Sequence, residues 1–478
     1  MKIPFSLPSS FSNVAYYGIG LFLMKGLSLI MLPFVAANLA IEQVGKLEFL
    51  GSIAAFLGLI INLSMHEALY RYSGVRKNPS SKKQVANQIY TLTTLMALTS
   101  FPVLILLSKH VLTHSIDFVS HQEFSILAFG LSIEGALGIS LAWLRMKDRA
   151  KCFVAVTAGS ALLQIILVIV AIRLEAGVSG ILLSSVISHG IQLGILHRIN
   201  YWSFVLPSRK QTRIFLRYCF PLALASTIGF ALNGADRWIL AYSGSLTDIA
   251  VYAIALKFSL AMCILVQPYG LWWMPKRFQH MESCGPKSTA RLSQYGIVWI
   301  AMLTVSIAYL APAFITLALP ESYSESTKYV LGTLSIALMK ELGEIVNIGI
   351  LYKKKTNALL AINIIAAIVG ISAAWLLKES GIWGVILALN IAQFLKLALI
   401  VTLSQRWYFI PYQIRAITMV FVFTAAFIFG SYTLNTLIIQ CCLAIVAPLS
   451  LLVVANLTGM TPLLPILAQS NSKRLGRL

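Results

Sequence analysis

Seven ionisable side chains fall inside long apolar stretches of this 478-residue chain: Lys25, Glu134, Lys257, Lys340, Glu341, Glu344 and Lys396. Each costs ~2.5–3.5 kcal/mol at the middle of a membrane-inserted helix, so each is expected to face protein or water rather than lipid. What such groups can do is recognise charge and pass protons or ions. Lys340 and Glu344 stand at i,i+4 and can neutralise one another, as can Glu67 and Arg71 near the end of another apolar run. Lys25 has no acid within a turn of its own segment, so its counter-charge comes from another helix or from an anionic substrate. Glu134 is flanked by Gly130, Gly135 and Gly138, which invite close helix approach. It reads either as a packing carboxyl or as a proton- or ion-coupling group. Lys396, Glu344 and Lys257 lie close enough to span ends to snorkel. Four lysines against three glutamates, with Lys25 and Lys257 least compensated, predict a cationic cavity. That suits a phosphate-bearing head group better than a cationic drug, and lysine tolerates a head group that slides.

Motifs for bond-making chemistry are absent. The sequence holds no GxxxxGK[ST], HExxH, CxxC or DxD, and "VGKLE" at 44–48 lacks both the loop and the hydroxyl of a phosphate-binding turn. His189, alone in its apolar run, reads as a hydrogen-bonded packing residue. The six cysteines (152, 219, 263, 284, 441, 442) show neither a disulfide framework nor zinc spacing. No catalytic residue, metal or cofactor is expected, and the chain reads as a transporter rather than an enzyme.

The elements that must position these charges are membrane helices. Apolar residues make up 58% of the chain and charged ones 11%, more apolar surface than a single water-soluble core can bury. Stretches able to cross ~30 Å of hydrocarbon fall near 14–38, 48–66, 89–109, 124–144, 152–172, 180–196, 214–235, 249–273, 294–318, 328–350, 358–377, 382–403, 416–434 and 437–457. Runs of this kind lack the alternation of barrel strands. The first run carries Lys25 in its middle and no cleavage pattern, so it reads as a retained helix.

The net charge of +21 has a sided distribution. The N-terminus, even-numbered connections and C-tail hold 27 of the 37 Lys and Arg against three acids, whereas the odd-numbered connections hold six bases and ten of the sixteen acids. The positive-inside rule therefore places both termini in the cytoplasm. Bases scattered over short loops do not make a nucleic-acid surface, so nucleic acid is not an expected partner.

Shifting the chain by 204 residues lays Arg149 on Lys353, Lys151 on Lys355, Glu175 on Glu379, Gly177 on Gly381 and Gly180 on Gly384. Six spans per repeat gives halves of the same orientation, related by an axis along the membrane normal. The expected organisation is a six-helix bundle over 1–213, its repeat over 214–403, and two additional helices with a tail over 404–478.

The segments "KGLSLIMLPFVAANLAIEQVGKLEFLGSIAAFLGLIINLSMHEALYRY", "NGADRWILAYSGSLTDIAVYAIALKFS" and "KKKTNALLAINIIAAIVG…GIWGVILALN" resemble the polysaccharide-transporter branch of the multidrug/oligosaccharidyl-lipid/polysaccharide (MOP) superfamily, which includes the Wzx-type O-antigen flippases. The resemblance runs over the whole chain. It implies an all-α integral membrane fold of about 14 helices, two six-helix bundles around a central cationic cavity plus two extra helices. It also implies alternating access and a polyprenyl-pyrophosphate-linked oligosaccharide as cargo, carried from the cytoplasmic to the periplasmic leaflet of a bacterial inner membrane. Membrane lipid and other polysaccharide-assembly proteins are the implied partners. The cationic-cavity candidates are Lys25, Arg237, Lys257, Lys340 and Lys396; Glu134, Glu341 and Glu344 are ion-coupling candidates, and Glu67–Arg71 a cytoplasmic gate pair. Other lipid-linked glycans, lipid II among them, and drug/cation antiport are alternatives within the superfamily. An intramembrane polymerase or acyltransferase is the alternative from another class. The first span lacks an acid, which departs from the drug-exporting branch.

Overall fold

The computed structural model describes residue 26 and residues 29–460, apart from residues 75, 116–117, 231, 233, 275 and 434–435. Lys25 lies outside the described residues, as do both termini. Among the described residues every regular element is helical. The chain divides into two compact units, Met1–Ala250 and Val251–Leu478.

The first unit begins with α1 (Leu32–Asn38), α2 (Ile41–Asn62) and the single turn α3 (Met65–Ala68), which runs into a π turn at Leu69–Ser73. Then come α4 (Pro79–Ser115), α5 (His121–Met146), α6 (Ala150–Arg173), α7 (Gly177–Ile199), α8 (Arg209–Phe230) and α9 (Asp236–Ser243). The division between the units falls inside α10 (Leu246–Trp273). The second unit continues with α11 (Arg277–Ala318), α12 (Ser326–Val346), α13 (Ile348–Tyr352), α14 (Thr356–Leu376), α15 (Gly381–Trp407), α16 (Ile414–Thr433) and α17 (Leu437–Leu457). In the first unit α5 packs on α4, α7 and α2; in the second α11 packs on α12, α16 and α17, and α15 on α12 and α14. Helices α8 and α9 pack on α2, and α8 also on α3.

Eleven of these helices are long and apolar enough to cross a bilayer, among them Ile41–Ser73, Ala150–Arg173 and Leu437–Leu457. The other three expected spans have local reasons to differ. The first lies mostly outside the described residues. The seventh, α8, carries Arg209, Lys210, Arg213 and Arg217, and the tenth, α12, carries Lys328, Lys340, Glu341 and Glu344.

The polarity of the surface is that of a protein dissolved in lipid. Leu106, Leu376 and Ile438 are two-thirds or more exposed, while Ser132, Ser188, Gln192 and Gln393 are buried. Helices meet through small polar groups: Ser160 and Ser188 share a 2.9 Å hydrogen bond, and Gln164 Nε2 donates to Ser185 Oγ at 2.7 Å. Lipid gives apolar side chains no reason to hide, so small residues and hydrogen bonds make these contacts.

Two details bear on the internal repeat. Gly177 and Gly381 both take a left-handed backbone (φ +55° and +59°) at the start of α7 and α15, a conformation glycine adopts without steric cost. Gly180 and Gly384, one turn further on, both sit where a Cβ would collide with the preceding turn. In α11 the helix breaks at Gly285 (φ 79°, ψ 173°) just before Pro286, because proline disfavours a helical residue ahead of it.

Candidate functional site

Two ion pairs of the first unit lie at the end formed by its odd-numbered connections. Ser120 starts α5 with a reciprocal cap: Glu123 N donates to Ser120 Oγ at 3.2 Å, and Ser120 N donates to Glu123 Oε2 at 2.8 Å. The same Glu123, 6% exposed, receives Lys46 Nζ of α2 at 3.2 Å. Two residues further along α2, Glu48 accepts from Arg237 NH2 of α9 at 3.4 Å. The neighbouring Trp238 donates through Nε1 to Ser52 Oγ at 2.9 Å and packs edge-on against Phe56 and at a tilt against Phe230. The first turn of α10 crosses α2 so closely that a Cβ on Gly45 would collide with the Leu246 carbonyl oxygen. Arg237, one of the cationic-cavity candidates, is partly buried and ion-paired with Glu48. The sequence assigns Lys46, Glu48 and Glu123 to connections, because it places the start of α2 near residue 48; the helix starts at Ile41.

Glu134 lies near mid-helix in α5, on the face towards α2. Its Oε2 would stand 3.4 Å from a Cβ on Gly58, and Asn62 Oδ1 of α2 approaches Gly135 in the same way at 2.7 Å. The flanking glycine at 135 therefore does what its type suggested and lets α2 come close. Glu134 is exposed, and among the described residues it has no hydrogen-bond or ion-pair partner. A carboxylate so placed serves a polar space rather than lipid.

The pair expected between Glu67 and Arg71 does not form. The π turn at Leu69–Ser73 inserts between them and destroys the i,i+4 register. Glu67 Oε1 lies instead 3.5 Å from His66 Nε2, and the cation whose field reaches His66 and Tyr70 is Arg145.

In the second unit, Lys340 and Glu344 of α12 and Lys396 of α15 come together. Lys396 feels the attraction of Glu344 and the repulsion of Lys340. Lys340 and Glu344 do not form their expected ion pair, because Glu344 Oε2 accepts from Asn347 Nδ2 at 3.2 Å. Asn347 in turn accepts from the buried Arg277, whose NH1 lies 3.0 Å from Asn347 Oδ1 and 3.3 Å from the Glu344 carbonyl oxygen. The guanidinium at the start of α11 thus satisfies the last turn of α12, where free carbonyls accumulate. By sequence Arg277 counts as a loop base, and nothing in its local spacing marks it. Lys257 of α10 and Glu341 of α12 are half-buried in this unit, and α10 and α12 are joined by Ser259 Oγ donating to Thr333 Oγ1 at 2.9 Å.

This unit also holds an apolar groove of about 490 Å³, lined by Ile297, Leu342, Val346, Leu397, Val401, Tyr412 and Phe421 among others. Leu342 and Val346 lie on α12 with Lys340 and Glu344 but on its opposite face. Burial pushes the Tyr412 phenol up to about 12, so its hydroxyl stays protonated. Among the described residues no cluster of His, Cys, Asp or Glu could hold a metal ion.

A single family model, described as polysaccharide biosynthesis protein, matches residues 10–278. That is more than half of the chain. The chain belongs to this family. This polysaccharide biosynthesis protein also shares its fold with solved transporters. Lipid II flippase MurJ in an inward closed conformation is 13% identical with a TM-score of 0.70, over 95% of this chain and 99% of that one. An inward-facing multidrug resistance MATE transporter of the MOP superfamily is 14% identical with a TM-score of 0.63, over 82% and 97%. The MATE multidrug transporter DinF-BH is 16% identical with a TM-score of 0.59, over 84% and 96%. No curated protein sequence matches. This family member is therefore a multi-span membrane protein, with eleven helices among the described residues long and apolar enough to cross a bilayer, in a fold it shares with solved transporters.

Proposed function

We propose that the chain translocates a polyprenyl-pyrophosphate-linked oligosaccharide, an O-antigen-type or related polysaccharide repeat unit, from the cytoplasmic to the periplasmic leaflet of a bacterial inner membrane by alternating access. The observation that carries this reading is the gathering of Lys340 and Glu344 of α12 with Lys396 of α15, in a unit that also holds an apolar groove. A lipid-linked pyrophosphate needs charge for its head and apolar surface for its prenyl tail. Lysines replace the hydration that the phosphates lose on leaving water, and they do so as point charges rather than as a fixed fork. Lys25 and Lys257 are the further cations assigned to the head group, whereas Arg237 is given a structural role with Glu48. Glu134, unpaired among the described residues, is assigned to ion coupling in preference to Glu341 and Glu344. Both termini are placed in the cytoplasm by the loop charges. With the inside negative, outward movement of each negative charge is favoured by ~2.3 kcal/mol per 100 mV.

The test is transport in proteoliposomes with two cargoes, a polyprenyl-pyrophosphate-linked oligosaccharide and an organic cation. Flipping of the glycan lipid without cation efflux is the expected result. Cation efflux with no movement of any glycan lipid in a panel would replace the proposal by drug/cation antiport on the same fold.

A further inference from the structure

At the base-rich end of the first unit, a second cationic feature lies outside the sites described above. Lys83 comes from α4, Trp143 from the last turn of α5, Lys147 and Arg149 from the α5–α6 turn, and Asn200 and Tyr201 from the end of α7. Together they line a cavity of about 420 Å³. The Lys83 ammonium is held in place rather than dangling. It donates to the Asn200 carbonyl oxygen at 2.7 Å and stands 3.9 Å from the centre of the Trp202 ring and 5.1 Å from that of Trp143. Lys147 Nζ lies 5.0 Å from the same Trp143 ring, and Arg149 NH1 reaches the Ile199 carbonyl oxygen at 3.4 Å. Three cations from two separate segments therefore converge, and Lys147 is near enough to Lys83 to repel it. No carboxylate lines the cavity. Asp148, between Lys147 and Arg149, is exposed and held in a left-handed turn (φ 53°) outside the lining.

Like charges are gathered in a concave, half-apolar site at the cost of mutual repulsion, and an anion relieves that cost. The surroundings select its source. Trp143, Trp202 and Tyr201 are the residue types that settle at the head-group level of a bilayer. Directly beyond the cavity Tyr201, Phe204 and Leu206 are 81%, 65% and 72% exposed, an apolar shelf against which acyl chains can lie. A soluble phosphate has no use for that shelf. We infer that this cavity is a head-group site for an anionic phospholipid, whose phosphodiester is held by Lys147 and Arg149 while Lys83, clamped between two indoles, fixes the field. Basic pockets between membrane helices are a known means of binding such head groups. This site is separate from the proposed cargo groove of the second unit, and its test does not depend on transport.

The experiment is equilibrium binding of fluorescent phosphatidylglycerol to the purified full chain in detergent. The parent is compared with Lys147→Gln/Arg149→Gln and with a control that removes the same charge elsewhere at this end, Lys77→Gln/Lys210→Gln. The pocket variant is expected to bind about tenfold or more weakly, the control to bind as the parent does, and millimolar inorganic phosphate to displace no lipid. The single variant Arg149→Gln gives the same comparison if the double variant fails to fold. Equal binding by parent and pocket variant, or an equal loss in the control, overturns the site. Displacement of the lipid by inorganic phosphate overturns the lipid as its occupant and leaves a soluble anion.

Discussion

Two charged regions of this molecule use the same residue types to opposite ends. In the first unit, Lys46 meets Glu123 and Arg237 meets Glu48, while Glu123 also closes the cap of its own helix. Each charge there has a protein partner, and the result is a set of helix ends tied together. In the second unit, Lys340, Glu344 and Lys396 gather without forming an ion pair among themselves, and Glu344 is engaged by an amide instead. An apolar groove lies in the same unit. Charges that pair with one another hold helices together, whereas charges gathered without pairing leave room for a charged ligand.

That contrast can be broken by exchanging the roles of the two regions. The largest effect is expected from Lys340→Glu/Lys396→Glu, which turns the attractive site repulsive. Transport of a pyrophosphate-linked glycan should fall by about a hundredfold, ~2.8 kcal/mol, with the melting temperature close to that of the parent. Glu123→Ala should do the reverse. It leaves Lys46 without its partner and α5 without its cap, and a denaturant or thermal titration should show a loss of about 2–3 kcal/mol. Gly45→Val comes next, at about 1–3 kcal/mol of stability, because α10 has no room to retreat from the added side chain; the melting temperature reads it. Glu48→Gln should cost ~1 kcal/mol or less, since its partner remains partly solvated. Glu134→Gln sharpens the comparison from the other side. It should leave stability unchanged and slow transport by less than about tenfold while abolishing its dependence on an imposed ion gradient, which a flux assay with and without that gradient detects.

Much of this organisation was legible in the sequence because the bilayer imposes simple rules. Long apolar runs placed eleven of the spans within the described residues, and even the short junction between α16 and α17 separates two helices. The glycines at 177 and 381 were visible as a repeat, and their shared backbone conformation gives the physical reason glycine stands there. Pairing was less legible. Lys340 and Glu344 have ideal helical spacing, yet Asn347 takes the carboxylate, and Glu67 and Arg71 are separated by a π turn that composition does not announce. The residues missed altogether, Lys46, Glu48, Glu123 and Arg277, find their partners across 67 or more positions of chain. Periodicity within one helix carries no information about such contacts; only the packing of helices creates them.

The most direct test of the central claim is glycan-lipid flipping by two variants measured side by side, Lys396→Gln and Lys46→Gln, each with its melting temperature. A functional charge in the second unit and a structural one in the first predict that Lys396→Gln flips about tenfold more slowly at parental stability, whereas Lys46→Gln melts lower yet flips normally once folded. Parental flipping by Lys396→Gln would contradict the account, because that cation would then have no part in moving the cargo.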